Sequence, residues 1–258
     1  MNALEMLETL REAVASCIGD ASKVAVAYSG GLDSSLLAAL ASKSSEVVAY
    51  TCATPGSFDA VNSSKRARDE QLEHRIIELS SEQVRKTVGL VASITGSHDP
   101  VRIAYTIPLV VVLRESAEAK VLAGNGADEL FGGYARYPGL RDPRGMMARD
   151  LEKARAEAAL IRSWSVTAGK SAEFPYLDGR VIEACAGLEP EQLMSGGRRK
   201  ALLRDVARLL GLASHSLPKK AAQYSSGVLK EMQRLAKSER EPLDDWTRRV
   251  AEEQCRSA

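Results

Sequence analysis

The sequence predicts an α/β fold with a doubly wound, mainly parallel sheet and a helical C-terminal half. Two observations predict it: short apolar runs alternate with helix-like stretches, and two of those runs end in glycine-rich turns. Near-continuous apolar strands separated by helices are typical of parallel sheets that are covered on both faces. We expect one domain over residues 1–258, with an α/β core at 1–138 and a mainly helical part at 139–258.

Four strands are expected in the first half, each from a short run rich in apolar and β-branched residues. They span Lys23–Tyr28, Glu46–Cys52, Arg75–Leu79 and Lys120–Ala123. Helices are expected where apolar residues recur at helical spacing. They comprise an amphipathic N-terminal segment without the basic region of a signal peptide, then Leu32–Ala41, about Ser81–Thr95 and about Asp99–Ala119.

The second half changes character, because strand-like runs disappear after residue 138 and only helical patterns remain. Pro175 interrupts these patterns, since proline breaks a helix interior. The expected helices are Asp142–Ala168, Gly179–Ala186, Arg198–Leu210, Gly227–Lys237 and the charged tail Pro242–Ala258.

Composition excludes several classes of protein. The chain has 35 Lys and Arg against 34 Asp and Glu, so its net charge creates no strong electrostatic field that would favour binding to nucleic acid or to an anionic membrane. Its longest apolar run, about Ile103–Leu113, is too short to span a bilayer. The four cysteines are scattered without CxxC spacing, which argues against zinc and dithiol chemistry and fits a reducing cytoplasm. We expect a cytoplasmic protein that binds neither nucleic acid nor membrane.

The first chemical motif is SGGLDSS at residues 29–35, where the first strand turns into the first core helix. Glycines let a phosphate approach the backbone, and the free N–H groups of a helix N-terminus bind anions. The serines add hydroxyl donors, whereas Asp33 suits Mg²⁺ better than phosphate. A capped Gly-Gly turn without a ligand is the structural alternative. The predicted phosphate-binding residues are Ser29, Gly30, Gly31, Asp33, Ser34 and Ser35.

The second motif is GNGADELFGGY at residues 124–134, after the fourth strand. In an open α/β sheet, the carboxyl ends of neighbouring strands form one ligand crevice. We therefore expect Gly124 to lie beside the first loop and Asp128 to share Mg²⁺ with Asp33. A glycine-rich turn with two solvated acids is the structural alternative.

These motifs resemble those of a known family. The first loop lacks the lysine of the G-x-x-x-x-G-K-[ST] motif and resembles the PP-loop of the ATP pyrophosphatases. The second resembles the G-x-G-[SA]-D-E-[LV]-F-G-G-Y segment in the synthetase domain of asparagine synthetases and β-lactam synthetases. Shorter matches follow in the family's order, at FPYLD (174–178), KALLR (200–204) and KKAAQYSSG (219–227).

The resemblance implies ATP and Mg²⁺ as cofactors and a carboxylate that is activated as an acyl-AMP with release of pyrophosphate. It places adenine at the end of the second strand, near Thr51. It also implies that a lysine of the 219–227 segment stabilises charge at the α-phosphate. The spacing there is one residue longer than the family pattern, so Lys220 is the first choice and Lys219 the second.

Three departures from the family pattern concern the nucleophile. Asn125 stands where asparagine synthetases have Glu and β-lactam synthetases have Tyr, and Asn cannot act as a general base near neutral pH. Ser171 and Glu173 replace the Glu and Arg of the family's E-x-R-x-P-[FY]-L-D segment. No counterpart of the family's glutaminase domain occurs in these 258 residues.

The resulting hypothesis is an ATP-dependent amide-forming ligase that activates a small carboxylate, by default aspartate, for attack by ammonia or another amine. A separate glutaminase subunit is left open as a partner. Two alternatives remain: a PP-loop tRNA-modifying sulfurtransferase, which usually needs reactive or paired cysteines, and a non-catalytic ATP-binding partner of a separate glutaminase. The sequence leaves the acid, the amine and the oligomeric state open.

Overall fold

A computed structural model describes residues 1–194, 198–216 and 222–255 of the chain. Its centre is a five-stranded sheet in the order β3-β2-β1-β4-β5, and every strand pair is parallel. The strands are β1 (Lys23–Ala27), β2 (Glu46–Ala53), β3 (Glu73–Glu78), β4 (Lys120–Leu122) and β5 (Ser171–Glu173). The predicted α/β class with a parallel sheet is confirmed.

Helices of very different length surround the sheet, and short 3₁₀ segments cover residues 137–139, 175–177 and 213–216. The helices are α1 (Ala3–Ile18), α2 (Leu32–Ala41), α3 (Phe58–Asp69), α4 (Ser81–Thr95), α5 (Pro100–Glu115), α6 (Ala127–Leu130), α7 (Pro143–Thr167), α8 (Gly179–Ala186), α9 (Pro190–Leu193), α10 (Ala201–Leu209), α11 (Ala222–Ser225), α12 (Val228–Ser238) and α13 (Leu243–Cys255). None of the helices in the described ranges combines the length and apolar character needed to cross a bilayer.

Two apolar layers hold the sheet between helices. Successive residues of a strand point to opposite faces, so Val24 and Val26 of β1 join one buried cluster while Ala25 joins the other. The first cluster includes α1, α2 and α10, and the second includes α4, α5, α12 and α13. Strands β1, β2 and β4 are therefore covered on both faces, which explains why their sequences are nearly continuous apolar runs, whereas the edge strand β3 is mostly exposed.

The expectation that strands disappear after residue 138 is wrong. Strand β5, Ser171–Glu173, pairs in parallel with β4 and extends the sheet from within the C-terminal half. Its three residues, Ser-Ala-Glu, carry no β-branched side chain, so the sequence gives no strand signal. Helix α3, Phe58–Asp69, was also missed, because its polar sequence has few apolar residues to mark a helical face. The number of domains stays a prediction.

The order of the strands fixes where a ligand can bind. Strand β1 lies between β2 and β4, so the chain winds outward in both directions from it. Loops that leave β1 and β4 diverge at their carboxyl ends and leave a crevice between them. Both glycine-rich motifs occur at this edge, since one follows β1 and the other follows β4.

Candidate active site

The first loop joins β1 to α2 and is held in place by its own serines. The backbone N–H of Gly31 donates to Ser29 Oγ at 3.3 Å, and Ser34 Oγ donates to the carbonyl of Gly31 at 3.2 Å. No side chain caps α2, whose N-cap is Gly31. The first turn of this helix therefore presents backbone N–H groups that suit a phosphate.

Gly30 is a position where only glycine fits. Its φ is +68°, a conformation that costs other residues energy, and an added Cβ would lie 2.6 Å from Arg66 Cδ. Arg66 of α3 lies over the Phe58 ring, 5.3 Å from its centroid, and its Nη1 donates to the Gly30 carbonyl at 2.9 Å. Helix α3 thus supports the loop from behind, a contact that the sequence did not predict.

The second motif touches the first. A Cβ added to Gly124 would lie 3.3 Å from Asp33 Cβ, so the two loops pack directly against each other. Gly126 has a φ of +93° and precedes the single-turn helix α6, which carries Asp128 in its first turn. A Cβ added to Gly126 would meet Leu177 Cδ2 at 2.4 Å. The two predicted metal ligands therefore lie at the same end of the sheet.

Lys200 joins these two carboxylates. Its Nζ lies 2.6 Å from Asp33 Oδ2 and 2.8 Å from Asp128 Oδ1, and only 2% of its side chain is exposed. Burial lowers the pKa of this ammonium, while the neighbouring charge of Asp33 opposes that shift. Lys200 is the first residue of the KALLR segment, and its match to the family's K-x-x-L-R pattern is the signal in the sequence that could have found it.

The donor set at this point fits Mg²⁺ that is bound together with a nucleotide. No cluster of three or more His, Cys, Asp or Glu ligands occurs in the part of the chain that the structure describes. Mg²⁺ commonly uses one or two carboxylates and completes its shell with waters and substrate phosphates. Asp33 Oδ1 is buried and has no hydrogen-bond partner, so this carboxylate keeps one oxygen available.

A cleft of about 1020 Å³ opens beside the paired loops. Tyr28, Ser29, Thr51 and Cys52 line one end of it, near the carboxyl ends of β1 and β2. Thr51 Oγ1 donates to the Tyr28 carbonyl at 2.6 Å and lies 2.8 Å from His74 Nε2. The Thr51 side chain therefore braces the two strand ends.

Helices α5 and α7 line the opposite end of the cleft, which is strongly polar. Glu157 accepts hydrogen bonds from Arg102 Nε at 2.7 Å, Tyr105 Oη at 2.9 Å and Thr106 Oγ1 at 3.0 Å. Asp150 pairs with Arg136 and accepts from the Tyr137 hydroxyl at 2.9 Å. Each of these buried acids has a cationic partner. Their charges are therefore balanced within the wall of the cleft.

Asn125 and Glu129 also line the cleft. The Asn125 side chain is half-buried and hydrogen-bonds to none of the described residues. Glu129 is buried and accepts from the Tyr134 hydroxyl at 2.6 Å, but it makes no ion pair within the described ranges. Burial raises the pKa of Glu129. Both side chains can therefore contact a substrate, and Glu129 can accept a proton or bind a cationic nitrogen.

The FPYLD segment, residues 174–178, packs against the first loop through Tyr176. Tyr176 is fully buried and donates to the backbone carbonyl of Asp33 at 3.0 Å, and its ring packs edge to face against Phe131. Ser171 and Glu173 do not line the cleft, and Ser171 Oγ instead donates to Glu173 Oε1 at 2.6 Å. In this chain, the two positions that are Glu and Arg in the family pattern bond to each other.

The predicted catalytic lysines, Lys219 and Lys220, lie outside the described residues. The segment that follows them is anchored at the cleft, because Thr54 N donates to the Ser226 carbonyl at 2.9 Å and Ser225 Oγ donates to Asp59 at 2.9 Å. Ser226 itself lines the cleft. Their roles, and those of the other predicted site residues, stay predictions.

The described cysteines are poor nucleophiles. Burial raises the pKa of both the Cys17 thiol and the Cys185 thiol to about 12, and it raises the pKa of Cys52 as well. A thiol needs a lowered pKa to react readily near neutral pH. Cys52 lines the cleft, but it is predominantly an uncharged thiol there.

Comparisons with known proteins agree with the motifs. The family model described as Asparagine synthase matches residues 5–173 and 138–256. A protein of Methanocaldococcus jannaschii, provisionally named asparagine synthetase [glutamine-hydrolyzing] 1, is 31% identical over 88% of this chain and 50% of its own length. Carboxyethyl-arginine beta-lactam-synthase of Streptomyces clavuligerus is 28% identical over 88% of this chain and 45% of its own length.

A solved structure is similar at greater distance. A U34-tRNA thiolase from Methanococcus maripaludis has a TM-score of 0.47 and 16% identity, over 98% of this chain and 80% of that one. This similarity is too distant to indicate function. The chain spans about half the length of the curated relatives named above.

Proposed function

The chain belongs to the asparagine synthase family, and on that premise we propose that it is an ATP-dependent amide-forming ligase. It activates a carboxylate as an acyl-AMP, releases pyrophosphate and transfers the acyl group to an amine. The observation that carries the proposal is the meeting of Asp33 and Asp128 at one point, beside two glycine-rich strand ends and an open cleft.

The phosphates of ATP occupy the first loop in this proposal. Backbone N–H groups at the start of α2 bind the pyrophosphate part, and the hydroxyls of Ser29 and Ser34, which line the cleft, add donors. The predicted donor Ser35 is fully buried and does not line the cleft, so its side chain has no phosphate contact in this proposal. Asp33 and Asp128 hold Mg²⁺, which would neutralise phosphate charge and orient the leaving pyrophosphate. Adenine lies toward Thr51, at the end of β2. In the first half-reaction, a carboxylate oxygen of the acid attacks the α-phosphorus, and the bond to pyrophosphate breaks.

The acid and the amine occupy the part of the cleft beyond Gly124. Glu129 is a buried carboxylate without an ion-pair partner among the described residues, so it suits the ammonium group of an amino acid. Arg136 and Lys153 line the cleft on either side of their shared partner Asp150, and this pair of cations suits a second carboxylate. This distribution of charge supports aspartate as the default acid.

The second half-reaction needs a group that accepts the proton of the attacking amine. Asn125 cannot do so, but its amide lies free in the cleft and can orient the amine by hydrogen bonds. As the amine nitrogen bonds to the acyl carbon, the bond to AMP breaks, and the phosphate of the leaving AMP takes up the proton that the amine loses. Ammonia is the simplest nucleophile, and a separate glutaminase that supplies it is part of the proposal.

A substrate screen tests this function. The purified chain is incubated with Mg-ATP, each candidate acid and ammonium, and AMP, pyrophosphate and the amide product are quantified. We expect AMP and pyrophosphate in equal amounts that depend on the acid, and none from an Asp128→Asn variant. ATP binding without AMP release for any acid would favour the non-catalytic partner instead.

The tRNA sulfurtransferase alternative has a different signature. Such an enzyme would release AMP in the presence of tRNA and a sulfur donor, without any added acid. The raised pKa values of Cys17, Cys52 and Cys185 give it no support. A Cys52→Ser variant separates the two, because the ligase does not use this thiol.

A further inference from the structure

The buried ammonium group of Lys200 lies at the position proposed for the metal. Its ammonium group contacts one oxygen of each predicted metal ligand, Asp33 and Asp128, at hydrogen-bond distance. Glu129 adds negative charge nearby, and Arg204 adds positive charge. Without nucleotide, the charge of the two aspartates is thus partly neutralised by a side chain of the protein.

The backbone of Lys200 adopts an unfavourable conformation in this position. Its backbone has φ 57° and ψ 40°, in the left-handed region that non-glycine residues seldom adopt. Helix α10 starts only at the next residue, which turns the Lys200 side chain inward instead of along the helix surface. Gly133 leaves room for it, since a Cβ there would lie 2.4 Å from Lys200 Cε.

This arrangement has a consequence for metal binding. A divalent ion that used both carboxylates would lie close to a fixed positive charge, and like charges repel strongly in a site screened from water. The phosphates of ATP bring several negative charges and remove that penalty. We infer that Lys200 prevents free Mg²⁺ from loading and makes metal binding depend on nucleotide. This inference rests on the proposed function, because it takes Asp33 and Asp128 as the metal ligands.

The test measures Mn²⁺ binding by electron paramagnetic resonance, since bound Mn²⁺ loses the signal of the free ion. Wild-type protein is titrated with and without α,β-methylene-ATP, and Lys200→Met is titrated without nucleotide. Lys170→Met is the matched control, because Lys170 Nζ donates to the carbonyls of Ser116 and Glu118 and does not line the cleft.

We expect wild-type protein and Lys170→Met to bind Mn²⁺ weakly until the nucleotide analogue is added. Nucleotide-free Lys200→Met should bind it at least about tenfold more tightly, because a buried repulsion is removed. The double variant Lys200→Met/Asp33→Asn, which also loses a carboxylate, should lose that gain. Wild-type binding that equals Lys200→Met without nucleotide, or no gain in Lys200→Met, overturns the inference.

Folding gives a second readout. Lys200→Met leaves two aspartates without their cation, so its thermal midpoint should fall and then rise again on addition of Mn²⁺. If the variant does not fold in metal-free buffer, the inference requires Mn²⁺ to restore the folded state, and failure to do so overturns it. Release of AMP by wild-type protein is measured separately, so a nucleotide-independent metal site would leave the proposed ligase activity standing.

Discussion

Gly133→Ala places a methyl group into the centre of the site. The added Cβ would lie 1.7 Å from Asp128 Oδ1 and 2.4 Å from Lys200 Cε, far below any van der Waals contact. Gly133 does not have a positive φ, so the substitution causes no backbone strain and acts through this clash alone. To make room, the Asp128 carboxylate must move away by roughly 1 Å or more, which separates it from the Lys200 ammonium.

Two terms set the size of the effect. Overpacking a well-packed interior costs about 1–3 kcal/mol, and breaking a buried ion pair costs about 3–5 kcal/mol. Because Lys200 keeps Asp33 as a partner and Asp128 is a quarter exposed, the ion-pair term is reduced and we expect less than the sum of the two terms. The free energy of unfolding should fall by about 2–4 kcal/mol, or about 5–15 °C in thermal midpoint for a chain of this size.

The assay is thermal and urea denaturation, together with Mg-dependent AMP release. Gly139→Ala is the matched control, since Gly139 also lacks a positive φ and a Cβ there would meet nothing within 4 Å. AMP release by Gly133→Ala should fall by at least about tenfold, because Asp128 no longer lies where the metal needs it. A Gly133→Ala protein as stable and active as Gly139→Ala would refute the reasoning.

Five further variants address other parts of the site. Asn125→Ala should spare acid-dependent ATP–pyrophosphate exchange but impair amide formation, and loss of exchange would show a structural role instead. Asn125→Glu should improve the use of ammonia, because a carboxylate accepts protons. Lys220→Ala should slow AMP release by about 10²–10³-fold, and full activity there together with a damaging Lys219→Ala would reverse our choice of lysine. Burial lowers the pKa of His74 in the folded chain. As the pH falls from 7 to 5, this imidazole is therefore protonated in the unfolded chain before it is protonated in the folded chain, and the free energy of unfolding decreases over that range. In His74→Gln, this slope should become shallower by less than about 1.4 kcal/mol per pH unit, and an unchanged slope in urea denaturation would contradict the assignment.

Local sequence was sufficient for much of the fold. After their charged first residues, the runs KVAVA and EVVAYTCA are almost entirely apolar, which predicts burial on both faces, and the structure places them as the adjacent inner strands β1 and β2. The two glycine motifs were also located correctly at strand ends, because backbone conformation and close approach are local requirements. Strand β5 could not be found in this way, since three small or polar residues join the sheet only because β4 offers an edge.

For the candidate site too, local sequence predicts some positions and tertiary packing decides others. Local motifs predict that Asp33 and Asp128 each follow a strand, and the parallel order of the strands brings them to one edge. The position of Lys200 between them follows from tertiary packing, because its contact with Asp33 joins residues 167 positions apart in the chain. A lysine in a basic run at the start of an amphipathic helix normally extends into solvent. Here the left-handed backbone, the missing side chain of Gly133 and the two carboxylates together make burial of that charge favourable.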